Sequence, residues 1–174
     1  MATSIIKTDE IRRLNDQVLM SDGALTSNVV FPAGHVLQVV NATTSSGVTT
    51  TTQNSWTTTN LSASITPSSS SSKILVLVQQ KVAAFGNGDL QVNLGLFRDA
   101  TLIYGALSWD DLRVATISTC WAFNIPIVYL DSPATTSSIT YATALSKRST
   151  AVTQVVASGN GGLPDSIVLM EIAA

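Results

Sequence analysis

The segment LQVNLGL at residues 90–96 alternates large apolar with polar or small positions without a slip. That is the pattern of a strand with one face in a core. Leu61, Ala63 and Ile65 alternate with Ser62 and Ser64 in the same way. Residues 48–53 and 56–59 are rich in threonine, which is β-branched yet wettable, and predict strands with one exposed face. Residues 74–78 are apolar at every position and predict a strand covered on both faces. Residues 120–130 form a longer apolar run broken by Pro126. Proline has no N–H for a ladder, so Pro126 marks a bulge or an edge. Residues 138–145 and 167–172 complete the set.

The segments between these runs carry turn chemistry: Gly86-Asn87-Gly88-Asp89, Arg98-Asp99-Ala100-Thr101, Asp131-Ser132-Pro133 and Gly159-Asn160-Gly161-Gly162. The five serines at 68–72 also read as a turn. Pro67 ends the alternating strand before them, and the hydroxyls satisfy loop backbone locally. Strands at intervals of about ten residues predict an all-β sandwich or barrel. With roughly eight to ten of them the expected form is a jelly-roll-like antiparallel β-sandwich. No long amphipathic helical pattern occurs between residues 36 and 174.

The first residues differ. Lys7, Asp9, Glu10, Arg12, Arg13, Asp16 and Asp22 give them most of the dense charge. A helix opening at Thr8 would put Ile11, Leu14 and Val18 on one face. An extended reading has a strand, a turn at Asn15-Asp16, then Gln17-Val18-Leu19-Met20. Propensity alone does not separate the two. Either is an arm too short for a core, and Phe31-Pro32-Ala33-Gly34 is a natural joint. The expected organisation is therefore a docking arm over 1–30 and a β-sandwich over 31–174.

Composition sharpens this picture. The 174 residues are 45% hydrophobic but only 11% charged, against a typical quarter. Roughly a quarter are Ser or Thr, so the polar surface is hydroxyl rather than charge. Mean hydropathy is +0.31. High hydropathy with so little charge fits a chain that buries surface against copies of itself or a partner. The net charge of -2 includes no basic block, which argues against nucleic acid as a ligand. No apolar run approaches the ~18 residues of a membrane span, so no membrane insertion is expected. MATSIIKTDEIRRL has charges where a signal peptide needs an apolar core, which predicts folding in a cytosol. Without a secretory signal, the acceptor patterns at Asn41-Ala42-Thr43 and Asn60-Leu61-Ser62 read as chance.

Candidate chemistry is sparse. His35 is the only histidine and cannot build a usual zinc site alone; it reads as a loop or strand-edge residue. Cys120, the only cysteine, excludes an internal disulfide framework and is expected to be an inert buried thiol. Trp121 is expected in the core. Gly86-Asn87-Gly88-Asp89 has no helix after it, so it is not a phosphate loop. No metal, cofactor or reaction class is supported, and the chain reads as non-enzymatic. One segment has the chemistry to hold a sugar: Tyr104, with Trp109 beside Asp110 and Asp111, offers an aromatic plate and carboxylates that accept from hydroxyls. The alternative reading puts Trp109 at a subunit interface.

The run GHVLQVV (34–40), a Ser/Thr-rich stretch, and then LSASITPSSSSSKILV (61–76) resemble the short fibre and tail-fibre proteins of tailed bacteriophages, particularly those of marine bacteria and cyanobacteria. LFRD (96–99), YLDSP (129–133), IVLMEIA (167–173) and the opening IKTDEI (6–11) are similar as well, so the resemblance spans nearly the whole chain. It implies a virion protein, made in the host cytoplasm and trimeric. An extended arm would be fixed to other virion proteins, with Ile6, Ile11, Leu14 and Val18 as its apolar positions. A displayed sandwich would face outward, and host-surface glycan is a possible partner. No catalytic residue belongs to the pattern. The competing classes are a virion adaptor or decoration protein without host binding, and a carbohydrate-binding or C1q/TNF-like module.

Overall fold

The computed structural model describes residues 10–12, 18–21, 24–25, 31–105, 112–117, 119–157 and 164–174. Among them there is no helix. Three short strands come first: β1 (Glu10–Arg12), β2 (Val18–Ser21) and β3 (Ala24–Leu25). They pair antiparallel in a sheet of their own, with Ile11 opposite Met20 and Met20 opposite Leu25. The described residues of the arm are thus extended, and Ile11 and Val18 stand on strands rather than on one face of a helix. Ile11 and Val18 lie on β1 and β2, while Ile6 and Leu14 lie outside the described residues.

Eleven further strands build two antiparallel sheets packed as a sandwich. They are β4 (Val36–Thr44), β5 (Val48–Thr50), β6 (Thr57–Ile65), β7 (Lys73–Gly86), β8 (Gly88–Arg98), β9 (Thr101–Tyr104), β10 (Leu112–Ile117), β11 (Cys120–Asp131), β12 (Ile139–Lys147), β13 (Val152–Ala157) and β14 (Asp165–Ile172). One sheet has five strands in the order β10-β8-β12-β6, with β9 also on β8. The other has six, built around β7. From β6 to β8 and from β10 to β13 the chain passes repeatedly between the sheets, as in a jelly roll.

The alternating segments behave as their periodicity demands. Leu90, Val92, Leu94 and Leu96 of β8 point inward and are buried, as are Leu61, Ala63 and Ile65 of β6. They meet Ile74, Val76 and Val78 of β7, Ile127 of β11, and Ile167 and Leu169 of β14. Burying each large aliphatic side chain contributes about 1.5–3 kcal/mol.

The strand β7 organises its sheet. Along one edge it pairs with β11 from Ile74↔Asp131 to Phe85↔Cys120 without a break in register. Its other edge is shared: β14 covers Lys73 to Gln79, and β13 covers Val82 to Gly86. At the gap between those two, the Lys81 backbone N donates to Asp165 Oδ1 at 3.0 Å. Pro126 sits within the continuous ladder, opposite Gln79, in a strand that pairs with β7 alone. It therefore marks an edge and not a bulge, with its missing donor on the open side.

Three expectations need correction. Residues 74–78 are not covered on both faces, because Leu75 and Leu77 point away from the core and are only half-buried. Cys120 is exposed rather than buried. Trp121 is 48% exposed, not in the core. For residues 74–78 and Cys120 the reason is the outer face of their sheet, which the described chain does not cover; Trp121 keeps the inward parity of Ile127 but stands at the start of the edge strand β11, away from the core and against Phe123.

Candidate functional site

Among the described residues Asp131, Asp165 and Glu171 are buried carboxylates, and Glu171 and Asp131 are held by dense hydrogen bonding. Glu171 is fully buried on the inward face of β14. Its Oε1 accepts from the Ser68 backbone N at 2.8 Å and from the Ser68 hydroxyl at 2.7 Å. Its Oε2 accepts from Gln38 Nε2 at 2.6 Å. Burial pushes the carboxyl up, but the hydrogen bonds from Ser68, Gln38 and Ser72 outweigh it and hold the group below its ordinary range. Gln38 Nε2 also donates to the Thr66 carbonyl at 2.7 Å. The serine turn is thus tied to β4 and β14 through one buried charge.

Asp131 closes the other cluster, at the end of β11. It receives Arg98 Nη1 on both oxygens, at 3.0 and 2.9 Å, and the Tyr141 hydroxyl at 2.7 Å. Tyr141 is fully buried. Burial, and then the bond to Asp131, push its phenol far above the usual range, so it remains an O–H donor. Every strong acceptor in both clusters already has a donor from the chain. The Asp131 cluster staples β11 to β8 and β12 of the other sheet, and the Glu171 cluster ties the serine turn to two strands of one sheet. Neither was found from sequence, although parity offered a signal: Asp131 follows Ile127 and Tyr129 in step, and Glu171 follows Ile167 and Leu169. Both acids occupy inward positions of their strands.

The sugar-binding constellation is only partly within the described residues. Trp109, Asp110 and Asp111 lie outside them. Tyr104 ends β9, is 42% exposed, and meets Tyr129 of β11 at a ring-centroid distance of 6.0 Å. One side of its ring is thus engaged across the two sheets. The turn at residues 86–89 is anchored by Arg113, which donates to both Asp89 oxygens at 3.2 and 2.8 Å. That pairing lowers the Asp89 carboxyl from its ordinary value. His35 is exposed in a turn whose Gly34 has φ +84°, and its ring stacks on Phe31 at 4.7 Å. Among the described residues, no three His, Cys, Asp or Glu side chains gather as a metal site would require. A shallow pocket of ≈ 250 Å³ lies between Gln79, Lys81, Asn124, Pro164 and Asp165.

The largest unusual feature is a surface. On the outer face of the six-stranded sheet, Leu130, Leu75, Met170 and Val39 lie side by side across β11, β7, β14 and β4. The next row is Val128, Leu77, Val168 and Asn41. Val128 is 69% exposed, Val39 56% and Leu130 51%, while the central strands' residues are half-buried by their neighbours. Seven of these eight positions are apolar, and none is charged.

No family model and no curated protein matches the chain. Solved structures similar to it come from infectious bursal disease virus. Its Gx strain structure aligns at 17% identity and TM-score 0.35, covering 100% of this chain and 46% of that one. The VP2 subviral particle aligns at 17% and TM-score 0.38, covering 98% and 41%. The derived T=1 particles align at 16% and TM-score 0.37, covering 100% and 44%. The chain spans less than half the length of each. Likeness at this level transfers no role, and the all-β sandwich class rests on the chain's own two sheets.

Proposed function

We propose that the chain is a non-enzymatic structural protein of a virion: a trimeric fibre or appendage of a tailed bacteriophage, attached through residues 1–30 and displaying the sandwich. The observation that carries this reading is the open apolar sheet face on a chain with only 11% charged residues. Such a face is stable in water only when something covers it, and symmetric assembly of copies is the common solution. The sequence resemblance, which spans the arm, the serine turn and the closing strand, supplies the setting. The arm strands of three, four and two residues are too short to stand alone, so a docked partner gives them their stability. The segments 86–89, 105–111, 131–137 and 158–165, apart from the buried Asp131 and Asp165, are the proposed host contacts, with Tyr104, Trp109, Asp110 and Asp111 as the contact for a glycan.

Electron microscopy of intact particles, labelled with antibody against the full chain, tests the reading. Label on a tail or neck appendage is expected, and an Ile11→Asp/Val18→Asp double variant should fold but not be incorporated. Particles that carry none of the chain overturn the proposal. Trp109→Ala tests the host contact: assembled trimers with unchanged adsorption would remove that loop from the receptor site.

A further inference from the structure

We infer that Asn87, at the connection between β7 and β8, is a site of spontaneous covalent modification: its side-chain amide is converted to a carboxylate, with water consumed and ammonia released. The site is independent of the virion reading above.

The structure singles out this asparagine. Asn41, Asn60, Asn93 and Asn124 stand within β4, β6, β8 and β11 and are followed by Ala42, Leu61, Leu94 and Ile125. In a strand the backbone is extended, and the next residue's side chain stands beside the N that would have to attack. Asn54 lies in a turn, but its Oδ1 accepts from Arg148 Nη1, and Ser55 follows it. Asn87 is exposed and forms by itself the bend between Gly86, which ends β7, and Gly88, which starts β8. Gly88 has no Cβ to shield its backbone N and takes φ +116°. Among the described asparagines, exposure, a bend and a following glycine meet only here.

The reaction needs no partner but water. Solvent base takes the proton of the Gly88 backbone N, which attacks Asn87 Cγ. A bond forms between that N and Cγ, the Cγ–Nδ2 bond breaks, and ammonia leaves behind a cyclic imide. Water then opens the ring. Breaking the N–Cγ bond restores the ordinary backbone with an aspartate. Breaking the bond from N to the main-chain carbonyl carbon leaves an isoaspartate, whose backbone runs through Cβ and is longer by a methylene.

The surroundings decide where that extra length goes. Gly86 N donates to the Thr119 carbonyl at 3.1 Å, and Asn87 N donates to the Ala151 carbonyl at 3.2 Å. A Cβ on Gly86 would stand 2.1 Å from the same Ala151 oxygen, so the chain is held closely on that side. The longer backbone is therefore taken up at Gly88, the permissive residue. Either product adds a negative charge to a net of -2. It also places a carboxylate two positions from Asp89, whose oxygens take Arg113 at 3.2 and 2.8 Å.

The test incubates the full native chain in mildly alkaline and in mildly acidic buffer, then digests it with trypsin. Cleavage after Lys81 and Arg98 yields a peptide that holds both Asn87 and the buried Asn93, so Asn93 is an internal control. Asn160-Gly161 lies outside the described residues and falls in a different peptide. Tandem mass spectrometry should find the mass gain of exchanging an amide for an acid at Asn87 and not at Asn93. The modified fraction should grow with time, and faster in the alkaline buffer. Labelling with an isoaspartyl methyltransferase should rise with it in the same peptide. Asn87→Gln, whose longer side chain disfavours the ring, should abolish both signals in that peptide with an unchanged β spectrum. No gain at Asn87 in the native chain overturns the inference, whatever the urea-unfolded chain shows. An equal gain at Asn93 overturns it too, because the chemistry would then follow unfolding and not the bend.

Discussion

Ser68 donates twice to Glu171, from its backbone N at 2.8 Å and its hydroxyl at 2.7 Å, across a sequence separation of 103 residues. The low-complexity run therefore has a definite task. Its first serine turns into the sandwich and neutralises the cost of burying a carboxylate, with Gln38 completing the shell. A turn of other polar residues would leave that charge with fewer donors.

Glu171 should make stability depend on acid. Its folded-state pKa lies below the ordinary 4.5. A group so depressed contributes stability that is complete above its unfolded pKa and is lost as pH falls through the folded one. Glu171→Gln removes the charge and turns a donor toward donors, so it should cost about 1–3 kcal/mol at pH 7. Urea midpoints of the two proteins should differ most above the ordinary 4.5 and draw together only as pH falls through the depressed folded value. Other acids titrate in both proteins and drop out of the difference. A constant gap across the range would show that the charge itself contributes nothing.

Asp131 should be the most sensitive single position among the buried polar residues. Asp131→Ala leaves the Arg98 guanidinium facing a buried site without its partner, a change that typically costs about 3–5 kcal/mol. Tyr141→Phe keeps the packing and loses one hydrogen bond, at about 1–1.5 kcal/mol. Chemical denaturation of the two single variants and the double should give a coupling energy of about 0.5–3 kcal/mol. A coupling near zero would mean that the Tyr141 hydroxyl does not sense Asp131.

What sequence revealed follows from where burial has one side. Strands β6 and β14 face a core on one side and solvent or a half-open surface on the other, and LSASI and IVLME carry that asymmetry as a period of two; β8 keeps the same period in LQVNL although Asn93 and Gly95 on its outward face are buried too. The runs at 74–78 and 120–130 misled because apolar residues on both parities imply cover on both faces. In that sheet the described chain supplies only the inner cover, and Val128 and Leu130 stand exposed on the outer face. Strands β10 (LRVATI) and β13 (VTQVVA) went unseen, since a polar residue among small β-branched ones leaves no clean alternation. The carboxylate clusters were invisible for another reason: their members are 33 and 103 residues apart, and no local pattern joins them.

Cys120 gives a direct check on the corrected edge. It is exposed at the start of β11, so a thiol reagent such as Ellman's should label the native chain with one equivalent, without denaturant. Labelling that requires urea would return Cys120 to the interior and shift the β11 edge with it.

Gln80 should be a position where a less polar residue improves the protein. It lies on the inward face of β7, fully buried, opposite the gap between β13 and β14. Among the described residues neither its Nε2 nor its Oε1 has a hydrogen-bond partner. An unpaired buried amide costs about 1–3 kcal/mol. Gln80→Met keeps the length and flexibility of the side chain and removes both orphan atoms. The denaturation midpoint should rise by the equivalent of about 1–2 kcal/mol. A fall of similar size would show that water enters the core beside β7 and that Gln80 holds it.

Gly95 should resist any side chain at all. It sits on the outward face of β8, and a Cβ there would lie 2.9 Å from the Trp56 ring and 3.0 Å from Leu102 Cδ1. Trp56 is in turn fixed by an edge contact to Phe97, with centroids 5.8 Å apart. The chain after β9 crosses the same spot, where Gly105 takes φ +100° and approaches the Gly95 Cα. One added methyl must therefore move an indole that has little room to move. Gly95→Ala should cost about 1–3 kcal/mol, as overpacking does. It should also change the tryptophan emission, because the displaced ring meets more water. The same substitution with unaltered emission and stability would mean that Trp56 does not rest on Gly95 in solution.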